Sequence, residues 1–269
     1  MLKFWGMENK STLGLAVITH NEAHNIEACL QSVPFASEIV VVDSHSTDET
    51  VALAKKCNAK VFVRDWPGYG RQKQFALEQM TTDWVLLLDA DEFLTSETRK
   101  AIQEVIACAD SLNGYIIPGH QVFMGRTLHH GRGVDNAIRL VRRGKARWDD
   151  AIIHEQLTIE GKLGVLNAWM LHHSSPTIKM RLDKIAAYSE LEMFNMREGQ
   201  YRSSFKTIFI DPLMYFARVF FVKRAWKDGI PGLIWLGLFC YEVFILHAKN
   251  FERAVNPEVR DYYRKSLSK

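Results

Sequence analysis

Apolar positions in the first 110 residues fall into short unbroken runs. Leu13–Thr19 (LGLAVIT), Glu38–Val42 (EIVVV), Lys60–Val63 and Trp84–Leu88 (WVLLL) are four of them. Runs of this length and continuity predict strands covered on both faces. Helical spacing predicts helices over 24–33, 70–80 and 96–109, the last with Ala101, Ile102, Val105, Ile106 and Ala109 on one face. Ser46 and Glu49 stand three apart and predict a capping box opening a helix that runs to about Cys57. Strand and helix alternate four times. Right-handed crossovers then give an α/β fold: a Rossmann-like, mostly parallel mixed sheet with helices on both faces.

The pattern changes after Leu112. The runs YIIP, AIRLV, QLTI and GVLNAWML are short and turn-separated, and predict a sheet extension up to about His173. Ile178, Leu182, Ile185 and Tyr188 then space as a helix. Tyr201–Lys227 holds eight aromatics, six Lys or Arg and one Asp; Gly229–His247 is an apolar run interrupted by Pro231 and Glu242. The expected organisation is an extension over 1–12, a nucleotide-binding half over 13–110, an acceptor-side half over 111–177, and a C-terminal helical, membrane-associating region over 178–269. Basic-aromatic segments suit an anionic lipid interface. Peripheral attachment is therefore expected ahead of burial of the apolar run in a core or dimer interface, and ahead of a true span.

Composition narrows this picture. With 47% hydrophobic and 24% charged residues the chain is globular, not disordered. A net charge of +3 lacks the strong basic excess of a nucleic-acid binder. Cys29, Cys57, Cys108 and Cys240 form no C-x-x-C pair and read as reduced buried thiols. The first eleven residues carry no apolar core of a secretory signal, so a cytoplasmic setting is expected.

Polar residues collect where the predicted strands end: Thr19 to Glu22, Asp43 to Ser46, and Asp89 to Glu92. Open α/β sheets bind ligands at that edge. Asp89-Ala90-Asp91 places two carboxylates at the tip of a buried strand, which demands a counter-charge. Mg²⁺ or Mn²⁺ supplies one, held by one or two carboxylates together with substrate phosphates. The plainer alternative is that Asp91 or Glu92 caps a helix. Asp43, with Ser44 beside it, can accept a hydrogen bond from a base; Asp48 is equally explained as a first-turn residue. Thr19, Asn21 and Glu22 would wall the nucleotide pocket, with helix capping the alternative for Glu22. Arg71 and Lys73 would reach phosphate or else stand in solvent.

The series THNE, VVDSHSTDET, the Gly-Arg-Gln-Lys helix start and LLLDADE resembles the family 2 glycosyltransferases, which have the GT-A fold. The resemblance implies that Glu22 and Asp43 contact the nucleoside, that Asp91 binds the metal, and that the reaction inverts the anomeric centre. Gln74 departs from the Asn that many members carry. Trp148-Asp149-Asp150 through His154-Glu155, then Leu171-His172-His173-Ser174, then Lys184 with Tyr188-Ser189, are similar to the lipopolysaccharide-core β-1,4-glucosyltransferases of that family. That similarity implies a UDP-glucose donor and a heptose acceptor on a lipid A–linked core oligosaccharide. The enzyme would then sit peripherally on the inner face of the bacterial inner membrane; the oligomeric state stays open. In-line displacement needs a carboxylate to take the acceptor proton. Asp149, Asp150 and Glu155 are the candidates, with Glu155 preferred and Asp150 second. His172 resembles an additional metal or diphosphate ligand, with His173 its neighbour. Competing readings are a transferase to a lipid phosphate or to protein, a sugar-1-phosphate nucleotidylyltransferase, and a non-catalytic membrane adaptor of the same fold.

Overall fold

The computed structural model describes residues 11–108, 111–152, 155–195, 203–256 and 258–259. By chain contacts it divides into two compact units. Unit 1 takes in the chain up to Gly119 together with Asn136–Leu171, and unit 2 takes in His120–Asp135 and the chain from His172 onward.

The four apolar runs form strands β1 (Leu13–Thr19), β2 (Glu38–Asp43), β3 (Lys60–Val63) and β4 (Trp84–Asp89). They are parallel in the order β3-β2-β1-β4. Helices α1 (Ile26–Gln31), α2 (Thr50–Lys56), α3 (Tyr69–Glu78) and α4 (Ser96–Ala107) connect or follow them. Strand alternation sorts the core into two layers. Leu13, Leu15 and Val17 of β1 pack with Ile26 and Leu30 of α1, Ala54 of α2 and Ile102 of α4. Ala16 between them packs with Val40, Val42 and Ala76 and Leu77 of α3 on the opposite face. The expected helix-sheet-helix layering is present.

Short strand β5 (Glu92–Leu94), absent from the sequence expectation, separates Asp91 from α4. Strands β6 (Leu112–Phe123), β7 (Arg126–Thr127), β8 (Val134–Arg142), β9 (Ala146–Trp148), β10 (Leu157–Ile159), β11 (Lys162–Val165) and β12 (Met170–His172) follow. They extend the order to β3-β2-β1-β4-β8-β6-β12-β5, with β8 antiparallel to β4 and β11 parallel to β6. The GVLNAWML run is thus two strands, not one. β9 and β10 form a separate antiparallel pair.

The capping box expected at Ser46 and Glu49 does not form. α2 starts at Thr50, and Ser46 gives both its backbone N–H and its hydroxyl to the Asp43 carboxylate. A buried carboxylate at a strand tip outcompetes a helix end for those donors.

Unit 2 is helical as expected: α5 (Ile178–Asn195), a π-helical turn (Lys206–Ile210), α6 (Asp211–Phe221), a 3-10 turn (Ala225–Asp228) and α7 (Gly229–Val255). Neither Pro231 nor Glu242 breaks α7. Pro231 lies in its first turn, where its missing N–H would have no helical partner. Glu242 meets Arg181 of α5 at 2.5 Å.

Candidate active site

The carboxyl edge of β2-β1-β4 is built by three chain segments. Register pairs Thr19 with Asp43 and Ile18 with Asp89, so the three strand tips end side by side. Asn21 and His45 both take positive φ, 55° and 58°, which turns the loops after β1 and β2 toward each other. The loops are laced together. Asn21 N–H donates to Ser46 Oγ at 2.8 Å, and Thr47 N–H donates to Asn21 Oδ1 at 2.8 Å. Glu22 N–H donates to Thr50 Oγ1 at 2.8 Å, and the Glu22 carboxylate receives Asn25 Nδ2 at 2.9 Å. Asp43 is fully buried. Asp48 accepts from Thr50 and from the Ala23 N–H, and the Thr50 hydroxyl holds its carboxyl below the usual range. Its visible work is to fasten α2 to the β1 loop.

Two buried oxygens here, Thr19 Oγ1 and Gln72 Oε1, have no hydrogen-bond partner, while Gln72 Nε2 donates to Ser44 Oγ at 3.0 Å. Buried polar atoms are normally satisfied. An orphan pair at a strand edge beside Asp43 and Ser44 is therefore a place for a polar ligand. Gln72 carries no signal in the sequence beyond its place in α3.

At the tip of β4 a chain of charges runs through unit 1. Lys73 Nζ lies 3.1 Å from Asp89 Oδ1 and 2.7 Å from Glu155 Oε1. Arg139 of β8 lies 3.1 Å from Asp89 Oδ2 and also bonds the Glu92 carboxylate. Glu92 in turn accepts the Asp89 N–H at 3.0 Å. Burial alone would pull the Lys73 ammonium down. Asp89 and Glu155 outweigh that pull and the repulsion from Arg139, leaving Lys73 above its usual value and firmly charged. Arg139 is a residue the sequence reading did not place in the site, whereas Glu92 stands in the Asp89–Glu92 cluster, with helix capping as its expected alternative. The available signal was Arg139 itself, a charge inside the apolar run AIRLV that a buried strand holds only with a partner.

The segment 148–152 is pressed onto the start of α3. Tyr69 N–H donates to Ile152 O and Gly70 N–H to Ala151 O, both at 3.0 Å, so backbone carbonyls satisfy the helix N-terminus. Gln74 Oε1 accepts the Trp148 N–H at 2.9 Å, and Lys73 Nζ sits 5.0 Å over the Trp148 ring. This docking brings Asp150 to Arg71 at 3.4 Å, an exposed pair, and Glu155 to Lys73, a largely buried one. Asp149 accepts the Ala151 N–H at 3.2 Å within the same loop. His154 lies outside the described residues.

Asp91 is half-buried between β4 and β5, and Ala90 is buried. Neither Asp91 nor Glu92 caps α4; Thr95 does, accepting the Thr98 N–H. Among the described residues no three His, Cys, Asp or Glu side chains form a ready-made metal cage. The donors at this tip are carboxylate oxygens, which suit Mg²⁺ or Mn²⁺ arriving with diphosphate oxygens that complete its shell. Asp89 answers two cations, Lys73 and Arg139. In unit 2, His172 Nδ1 lies 2.6 Å from the Gln121 side-chain nitrogen, and Ser174 donates to Gln121 Oε1 at 2.9 Å.

The profile of Glycosyl transferase family 2 matches residues 15–150, which include every strand tip described above. The chain is 31% identical over 256 residues to the lipopolysaccharide core biosynthesis glycosyltransferase LpsC of Rhizobium meliloti, covering 91% of this chain and 93% of that protein. It is 29% identical over 247 residues to an uncharacterized glycosyltransferase of Rickettsia felis, covering 87% of each. Among solved structures, S. aureus TarS aligns with a TM-score of 0.44 at 17% identity over 81% of this chain and 46% of that one. The chain therefore belongs to the family 2 glycosyltransferases, and its α/β sheet is their GT-A fold.

Proposed function

We propose that this glycosyltransferase moves glucose from UDP-glucose to a heptose of a lipid A–linked core oligosaccharide, with inversion at the anomeric carbon. The observation that carries the reading is Lys73, bonded at once to Asp89 of the D-x-D triplet and to Glu155. One ammonium ties the donor-side carboxylate to a carboxylate suited to act on the acceptor. The lipopolysaccharide-core acceptor is supported by the name of the R. meliloti relative.

In this reading Thr19, Asn21, Glu22, Asp43 and Ser44 bind the nucleoside. Arg71 and Lys73 face the diphosphate, and Asp89 and Ala90 form the floor beneath it. Asp91 would hold Mg²⁺ or Mn²⁺. When bound, the metal would supply positive charge against the leaving diphosphate. Glu155 takes the proton of the acceptor hydroxyl as its oxygen bonds the anomeric carbon and the carbon–phosphate-oxygen bond breaks; UDP departs. Lys73 Nζ holds the Glu155 carboxylate in place at 2.7 Å. Asp150, exposed on the same loop, is the second candidate.

The test is release of nucleoside diphosphate from a panel of nucleotide sugars, with Mg²⁺ or Mn²⁺ and heptose-containing lipid A core. Asp91→Asn and a chelator are the controls. UDP-glucose turnover that both controls abolish is the expected result. Turnover of another donor overturns the glucosyl assignment, and full activity in Asp91→Asn overturns the metal role.

A further inference from the structure

Helix α6 presents an apolar face to solvent. Ile210, Leu213, Met214, Ala217 and Phe221 recur at helical spacing on its exposed side, with Leu213 68%, Met214 62% and Phe221 71% exposed. Its other side, through Pro212 and Val219, is buried, so the helix is apolar nearly all round. Exposed Val222, Trp226 and Ile230 continue the patch into α7. A contiguous apolar surface of this kind marks an interaction site.

The rim identifies the occupant. Lys206, Arg218, Lys223, Arg224 and Lys227 are all exposed around the patch. Of the two acids in the same stretch, Asp211 lies 3.5 Å from Lys206. Asp228 is buried, receiving His130 and the N–H groups of His129 and His130. Protein-interface cores shed lysine. Aromatics over an apolar stripe, bordered by cations, match anionic headgroups above acyl chains.

We propose that this face is a monotopic membrane anchor. α6 lies in the plane of an anionic bilayer surface, its stripe in the acyl boundary and its basic rim on the phosphates. The proposal does not depend on the donor or acceptor assigned above. It also settles the part played by α7, which is long and apolar enough to cross a membrane. α7, most of whose apolar length is left unburied, is instead held along α6 and α5 within unit 2. Tyr215 stacks on Phe239 at 5.2 Å and Phe209 meets Phe244 at 5.8 Å, which pins α6 antiparallel along α7. From α5, Arg181 pairs with Glu242 at 2.5 Å and Ser189 accepts from Lys249 at 2.8 Å. A spanning helix would carry those charges and both neighbours into hydrocarbon.

The experiment is flotation of the purified full chain with vesicles of phosphatidylethanolamine and phosphatidylglycerol, against phosphatidylcholine alone, read with Trp226 fluorescence and size-exclusion light scattering. The expected result is flotation with the anionic vesicles, weakened about tenfold by 0.5 M salt, through screening of the headgroup attraction. Leu213→Gln with Phe221→Gln lowers partition about tenfold or more at unchanged melting temperature. A blue shift on binding disappears in Trp226→Phe, and alkaline carbonate strips the protein from membranes. Lys223→Glu with Arg224→Glu, which leaves the apolar stripe intact, weakens binding to anionic vesicles alone. Flotation indifferent to both double variants, resistance to carbonate, or a stable dimer that ignores vesicles each overturns the proposal.

Discussion

Arg139 shows how one side chain organises the catalytic edge. Its guanidinium is 7% exposed and touches both Asp89 and Glu92, and Glu92 is 1% exposed. Removing one partner of a buried pair leaves the other charge uncompensated, a cost of about 3–5 kcal/mol. Arg139→Met is therefore expected to destabilise the protein by that order in urea denaturation. Adding Glu92→Gln recovers a large part of the loss, because the stranded charge is gone. Additive losses in the double variant would show that the two residues act independently. The carboxylates at the strand tips were legible in the sequence, because acidic residues ending apolar runs stand out locally. Their counter-charges were less so. Arg139 lies 47 residues from Glu92 in the chain and is joined to it only by the β4–β8 pairing.

Among the elements, the decisive contact is that of the 148–152 segment with the first turn of α3. Gly70 permits it: a Cβ there would stand 2.1 Å from Asp149 O. Gly70→Ala must push the loop away, breaking the carbonyl caps on Tyr69 and Gly70 and carrying Asp150 and Glu155 off Arg71 and Lys73. Overpacking of this sort costs about 1–3 kcal/mol. The larger expected effect is on turnover: kcat falls at least tenfold while nucleotide binding, followed by calorimetry, changes little. Unchanged kcat would mean that this loop takes no part in positioning the acceptor-side carboxylates. The sequence marks α3 and the acidic loop separately. It does not announce their docking, since backbone carbonyls capping a distant helix leave no residue-type signature. The same limit hid β5, whose three residues are too few to show a period.

For the whole molecule, the shifted groups predict how stability responds to pH. His120 titrates below its ordinary 6.5, first because burial disfavours its charged form and then because His129 stands beside it, Nδ1 to Nδ1 at 3.0 Å. A depressed histidine favours the native state while neutral, so its contribution is present above 6.5 and is lost as pH falls through the lower folded value. Asp83 accepts the Thr12 N–H and hydroxyl, and Asp48 the Thr50 hydroxyl; both are held below 3.8. Their contributions have the same sign and are lost at more acid pH. Lys73 runs the other way. Raised above 10.5, it stabilises below that value, and the gain disappears as pH climbs through its folded value. Melting temperature against pH should therefore form a plateau from about 7 to 9, fall in two acid steps, and fall on the alkaline side first as unfolded-state thiols ionise while burial holds Cys29 well above 9.0, and then as Lys73 titrates. His120→Asn should shrink the first acid step, which His120 shares with His247, also held below 6.5 by burial, and leave the second, while Lys73→Met should flatten only the later part of the alkaline limb. An unchanged first acid step in His120→Asn would assign that loss to another of the chain's ten histidines.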